Sequence, residues 1–173
     1  MTTNLVPLLA ALLIGVGAAV QTSMVGAMGR QRGAVEASWL SLLATVTGIA
    51  LILGVRSLRA EGVVLPAPFD RWPVLALVAA LTVSALWLST RGLPAYYAGT
   101  GLFAIAFLIG AGSLGPKLGV ALFLSATIGG QVVGALVIDQ LGAFGAAAIP
   151  LTPARLGGVM MLLAGVMLVR FGR

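Results

Sequence analysis

Apolar residues run along this chain in long stretches, at residues 5–28, 37–55, 74–90, 95–114, 118–138 and 156–169. The breaks between them, "GRQRGAVE", "RSLRAEGVVLPAPFDRWP", "RGLP", "GPK" and "DQLGAFGAAAIPLTPAR", are rich in glycine, proline or charge, as turns are. A run of about 17 to 25 apolar residues, rising 1.5 Å per residue as a helix, matches the roughly 30 Å hydrocarbon core of a bilayer. Lipid offers no partner to backbone N–H and C=O groups, so each run must be a helix; a barrel would need short alternating strands, which the pattern lacks. The reading is all-α: a polytopic transmembrane helix bundle of six spans, forming a single integral membrane domain over residues 1–173.

The third run decides the span count. If residues 74–90 stay out of the membrane, five spans remain. That run holds only Thr82, Ser84, Ser89 and Thr90 as polar residues, so it is cheap to insert and awkward to leave in water. Six spans put both termini on one side, with Arg56, Arg59, Arg71, Lys117, Arg170 and Arg173 against Arg30, Arg32, Arg91 and Arg155 opposite. This bias favours cytoplasmic termini. Five spans would divide the charges evenly and give no orientation.

Composition agrees with the pattern. Of 173 residues 60% are hydrophobic and 8% charged, with a mean hydropathy of +1.14, far from the roughly one quarter charged residues of a soluble domain. The 10 Lys and Arg against 4 Asp and Glu would suggest nucleic acid in a soluble chain. Here the charges fall singly between apolar runs and read as topology signals, so the expected partner is the lipid bilayer and not nucleic acid. The N-terminus lacks a basic n-region and its apolar run outlasts an h-region, which predicts a retained span.

Apolar side chains gain nothing by leaving lipid for one another, so membrane helices meet where small residues let backbones approach. On the first span Ala11, Gly15, Ala19, Ser23 and Ala27 recur every fourth residue, with Ala18, Thr22 and Gly26 beside them. Ala76, Ala80 and Ser84 repeat the device on the third span, and Ala126, Gly130 and Gly134 on the fifth. Spacing does not say whether each ridge meets a helix of the same chain or of another.

Two carboxamides interrupt this apolar setting, Gln21 on the first span and Gln131 near the middle of the fifth. Either they hydrogen-bond across helices, or with Thr22, Ser125 and Thr127 they line a polar path for a substrate. Asp139 closes the fifth span and Glu36 opens the second. Asp139 reads either as a loop or cap residue, with Arg155 as a partner across the loop, or as a functional acid; Glu36 suits a helix N-terminus. Glu61 and Asp70 belong to the long loop. No acid stands at the centre of a span, so a proton-coupled mechanism would have to use Glu36 or Asp139 near a water-filled vestibule. Otherwise the substrate is neutral or moves without a coupling ion.

With no cysteine and no histidine, thiol chemistry, imidazole bases and the commonest zinc ligands are excluded together. No nucleophile, base and orienter can be assembled and no phosphate-cradling loop follows a strand, so neither an enzyme, a metal site nor a cofactor is expected. Trp72, Trp87, Tyr96 and Tyr97 fall at span ends, as interfacial anchors do.

The stretches "AAVQTSM", "PAYYAGTG", "GGQVVGALVIDQLG" and "LTPARLGGVMMLLAGVMLV" resemble the YdcZ family of small bacterial inner-membrane proteins, a branch of the drug/metabolite transporter superfamily. The resemblance covers about residues 1–55 and 94–171. It implies an EamA-like five-helix unit, against which residues 74–90 look like an extra helix, and polar positions at Gln21, Gln131 and Asp139. It also implies location in the bacterial inner membrane. Three positions depart from the family pattern: Val25 stands for a frequent asparagine, Tyr96-Tyr97 for Trp-Trp, and "DQLG" for Asp-His-Phe-Gly.

Two functions follow from these readings. One is a small secondary transporter, a homodimer moving an unidentified small solute. The other is a non-transporting membrane subunit or scaffold whose ridges pack against another membrane protein.

Overall fold

The structure is a computed structural model and describes residues 5–59 and 62–172. Glu61 of the long loop and Arg173 of the charge bias lie outside the described residues. Among the described residues there are six helices long and apolar enough to cross a membrane, and no strand. They are α1 (Leu5–Arg32), α2 (Ala34–Leu58), α3 (Trp72–Ser89), α4 (Thr100–Leu118, extended at its start by a 3-10 turn, Ala95–Gly99), α5 (Val120–Leu141) and α6 (Pro153–Phe171).

Two expected breaks are far shorter than the sequence suggests. "GRQRGAVE" is helical except at Gly33, and α4 continues through Pro116 so that Gly119 alone separates it from α5. Both glycines reverse the chain in one residue because they adopt φ of 102° and 78° with extended ψ, a conformation essentially closed to side chains with a Cβ. Proline opens α3 and α6, at Pro73 and Pro153, where its missing N–H costs nothing.

The helices form two compact sets, residues 28–105 and residues 5–27 with 106–172. In the second set, α1 crosses α5 through glycines. A Cβ built on Gly15 would collide with the Thr127 carbonyl and stand 2.8 Å from the Gln131 nitrogen, and one on Gly130 would collide with the backbone of Leu12. One on Gly134 would lie 3.1 Å from Val16 Cα and from Ala19 Cβ. Ala11, Gly15 and Ala19 of the first-span ridge and Ala126, Gly130 and Gly134 of the fifth are thus buried against each other's helices, and Ala27 is buried while Ser23 is half-buried. Below the crossing Leu8, Ala11, Leu118, Leu122, Phe123, Ala126 and Val166 form an apolar core. On its other side α5 packs antiparallel to α6, Gly129 meeting Leu162, Leu163 and Val166.

In the first set α2 packs antiparallel to α3, with Gly54 beside Leu75. It also crosses the start of α4, where a Cβ on Gly101 would collide with the backbone of Ala44 and Thr45 and one on Gly48 with Ile105. The expected third-span ridge is not used here: Ala76, Ala80 and Ser84 are exposed, and α3 meets α2 through Leu75 and Ala79. The face α3 turns to α2 is thus one residue round from that reading, with Leu75 beside Gly54.

Contacts along both crossings rise together in residue number, Leu12 with Gly130 and Val16 with Gly134, Ala44 with Gly101 and Gly48 with Ile105. Hence α1 runs parallel to α5 and α2 parallel to α4. For α1 and α5 to be parallel, an odd number of crossings must lie between them, and for α2 and α4 likewise. Both conditions require α3 to cross, which selects six spans over five.

The crossings are also copies of each other. Gly15 and Gly101 are 86 residues apart, and so are Gly33 and Gly119, Gly48 and Gly134, and Ser41 and Thr127. Gly15 meets Thr127 and Gln131 where Gly101 meets Ala44 and Thr45, the positions equivalent to Gly130 and Gln131. Gly48 meets Ile105 as Gly134 meets Ala19, its equivalent. The chain is an internal repeat of three spans, each half reading helix, single glycine, helix, loop, proline-started helix. Three is odd, so the second half starts from the opposite side of the membrane.

Candidate functional site

The helix period separates the path candidates. Gln131 stands midway along α5, and its backbone nitrogen touches the Gly15 surface of α1. Its side chain is half-buried, on the flank of that contact beside the exposed Leu124 and Ile128, and among the described residues no hydrogen bond reaches its carboxamide. Thr127 is buried against α1, and its hydroxyl donates to Phe123 O at 2.8 Å on its own helix. Ser125, six residues before Gln131, lies about 120° around the helix from it, at about 100° per residue, and is half-buried.

On α1, Gln21 is likewise about 120° around from Gly15, so it leaves the α5 contact; it is half-buried and has a bonding partner of its own. Thr22 is exposed and donates to Ala18 O at 2.9 Å. The five candidates therefore share no single face. Both threonine hydroxyls are satisfied by their own backbones, and Gln131 is the one amide of the pair left open at mid-span.

The boundary acids differ. Asp139 accepts a hydrogen bond and ion pair from Arg155, the partner suggested across the loop, with side chains 35% and 30% exposed. The Asp139 carbonyl also accepts from Gly142 and Ile149, Gln140 Oε1 accepts from the Leu151 nitrogen at 2.7 Å, and Arg155 donates to Ile149 O. These bonds fasten the loop from 142 to 152 onto the end of α5, and Thr152 caps α6 by accepting from the Arg155 nitrogen. A crevice of about 290 Å³ opens beside Arg155 between Val132, Ala135 and Leu136 of α5 and Gly158 and Val159 of α6. Glu36 is exposed in the first turn of α2, its carboxylate folded over Gly33.

The aromatic residues do not all behave alike. Trp72, Trp87 and Tyr96 are at least half exposed, as anchors are, and Trp39 joins them without having been singled out by its place in the sequence. Tyr97 is buried instead: its hydroxyl accepts from Gln31 Nε2 at 3.3 Å and its carbonyl from Thr100 Oγ1 at 3.0 Å. Sequence reasoning also missed Thr45, the repeat's equivalent of Gln131, half-buried with its hydroxyl donated to Ser41 O at 2.8 Å. The 86-residue spacing is the signal that finds it.

Six membrane-long helices, glycine-mediated crossings and polar side chains at mid-span define a multi-pass α-helical membrane protein. Residues 72–168, more than half of the chain, match the family model described as "Putative inner membrane exporter, YdcZ", and the chain belongs to that family. The matched stretch starts at Trp72 and runs through the whole of α3, so this helix is part of the family pattern and not an addition to it. Comparison with curated proteins and with solved structures gives no match.

Proposed function

We propose that the protein is a secondary transporter exporting a small solute across the inner membrane, and that the Gln131 carboxamide is the polar group the solute meets at mid-span. The reading is carried by that carboxamide. An amide in hydrocarbon without a partner costs several kcal/mol by rough transfer scales, so a chain that keeps one there has a use for it. Family membership supports export, and the three-span repeat supports transport, since internal repeats of opposite topology recur in secondary transporters. No acid is at mid-span among the described residues and Asp139 is engaged by Arg155, which favours an uncharged solute moving down its own gradient.

Purified protein in liposomes loaded with a panel of labelled neutral metabolites is expected to release at least one of them, and Gln131→Leu to abolish that release while leaving the melting temperature unchanged. Release at the wild-type rate in that variant removes Gln131 from the mechanism. A non-transporting subunit is the second reading, and α6 favours it. This helix is the least buried of the six, and Gly157, Gly158 and Gly165 face open space, a surface on which a homodimer or another membrane protein would pack. No release from any loaded liposome, with stable co-purification of one partner, would select it.

A further inference from the structure

The end of α3 carries an arginine that the fold does not use. Helix C-termini present unsatisfied carbonyls and a partial negative charge, which a cation stabilises. At α3 that work falls to Arg32, whose Nη1 donates to Ser89 O at 2.6 Å and whose Nη2 donates to Arg91 O. Arg91 itself is exposed, and among the described residues neither a hydrogen bond nor an ion pair engages its guanidinium. Gly92, at φ 79°, turns the chain immediately after it, and Leu93 N closes the turn onto Thr90 O at 2.9 Å.

Beside Arg91 lies a crevice of about 320 Å³ walled by Trp87, Thr90, Gly92, Leu93 and Ala95. Trp87 is 70% exposed and the Thr90 hydroxyl is already donated to Leu86 O at 2.8 Å, so the guanidinium is the free donor of the site. Glu36 lines a separate crevice with Arg32, Trp39, Leu40 and Ser89. A free cation, an interfacial indole and an apolar wall stand together where α3 leaves the hydrocarbon. From the crevice the exposed face of α3 runs back along the helix with Val83, Ala80 and Ala76.

We infer that this crevice binds the phosphate of an anionic membrane lipid, with an acyl chain laid along the exposed face of α3. Guanidinium pairs with phosphate oxygens through two parallel N–H donors, and Trp belongs at headgroup depth. The volume is at the lower end of the roughly 300 to 1,000 Å³ typical of ligand sites, room for a headgroup and little else. Free phosphate would have no use for the Trp87, Leu93 and Ala95 wall, which is why the lipid is chosen.

Native mass spectrometry of the full chain released from micelles holding phosphatidylglycerol and phosphatidylcholine tests this. The wild type is expected to retain phosphatidylglycerol in preference, and Arg91→Gln to lose that preference about five- to tenfold, the worth of one cation at an anionic surface or in a charge-assisted bond. Arg91→Lys keeps part of it, and Arg71→Gln, which removes an exposed cation from the other end of α3, keeps all of it. The guanidinium holds nothing in the fold, so the melting temperature of Arg91→Gln is expected to equal that of the wild type. Equal retention by wild type and Arg91→Gln, or equal loss in Arg71→Gln, would overturn the site. Displacement of bound lipid by inorganic phosphate alone would overturn its assignment to lipid.

Discussion

The crossing of α1 with α5 and that of α2 with α4 are built alike, yet they differ in several of the polar devices around them. At the shared position of close approach one has Thr45, whose hydroxyl is satisfied by Ser41 O, and the other has Gln131, whose carboxamide is not satisfied among the described residues. At the next loop, α5 and α6 are joined by Asp139 and Arg155, whereas α2 offers Leu53 at the 86-residue spacing and α3 offers Leu75 at the same distance from its opening proline. Conversely Arg32 ties the end of α3, while its equivalent, Leu118, is buried in the apolar core. Glycine packing is present in both halves, where it holds helices together, whereas the Gln131 amide and the Asp139–Arg155 pair occur in the second half alone.

Substitution at the crossings separates the shared part from the divergent part. The largest effect is expected from Gly15→Val and Gly101→Val. Each drives a side chain into backbone that no rotamer change relieves, at a cost of about 3 kcal/mol or more, read as lost resistance to unfolding in micelles. Similar losses from both would sharpen the comparison, and tolerance of either one would break it. Removing the Asp139–Arg155 pair comes next. With about a third of each side chain exposed, Asp139→Asn is expected to cost about 1 kcal/mol or less, and Arg155→Met no more once Asp139 is gone. The sensitive readout is proteolysis in residues 143–152, which the pair fastens; unchanged cleavage would mean the backbone bonds alone hold the loop. Thr45→Val should change stability by under about 0.5 kcal/mol and leave solute release intact, since its hydroxyl serves only its own helix. If it abolished release as Gln131→Leu is expected to, the two crossings would share their function as well as their packing. Smallest of all is Gly157→Ala, where a Cβ meets open space and the change should stay within about 0.5 kcal/mol.

Much of this arrangement is legible in the chain. The spans are, because hydropathy over some twenty residues is a local property, and so are the ridges at Gly15 and Gly130 and the pairing of Asp139 with Arg155 across one loop. Other features depend on neighbours. Nothing in "VQTSM" or "SATIGGQ" says that Thr22 and Thr127 spend their hydroxyls on their own backbones, or that the helix period turns Gln21 away from the α5 contact. Ala76, Ala80 and Ser84 look as good a ridge as Ala126, Gly130 and Gly134, and only the latter is used within the chain. Tyr97 resembles Tyr96 in sequence, yet one is buried and the other exposed, because Gln31 is placed to meet its hydroxyl. The 86-residue spacing is present in the letters, but among 24 glycines it carries no meaning until the same contacts are seen twice.

The sequence by itself determined that this protein lives in a membrane as α-helices, since each span must satisfy its own backbone in a medium that offers no partner, and that requirement is met or failed residue by residue. Tertiary structure alone decided which helix each small ridge meets, that the glycine crossings are parallel, and which polar side chains are left unpaired. Lipid is as apolar as leucine, so hydrophobicity does not choose among neighbours; shape does, and shape exists only once the helices have come together.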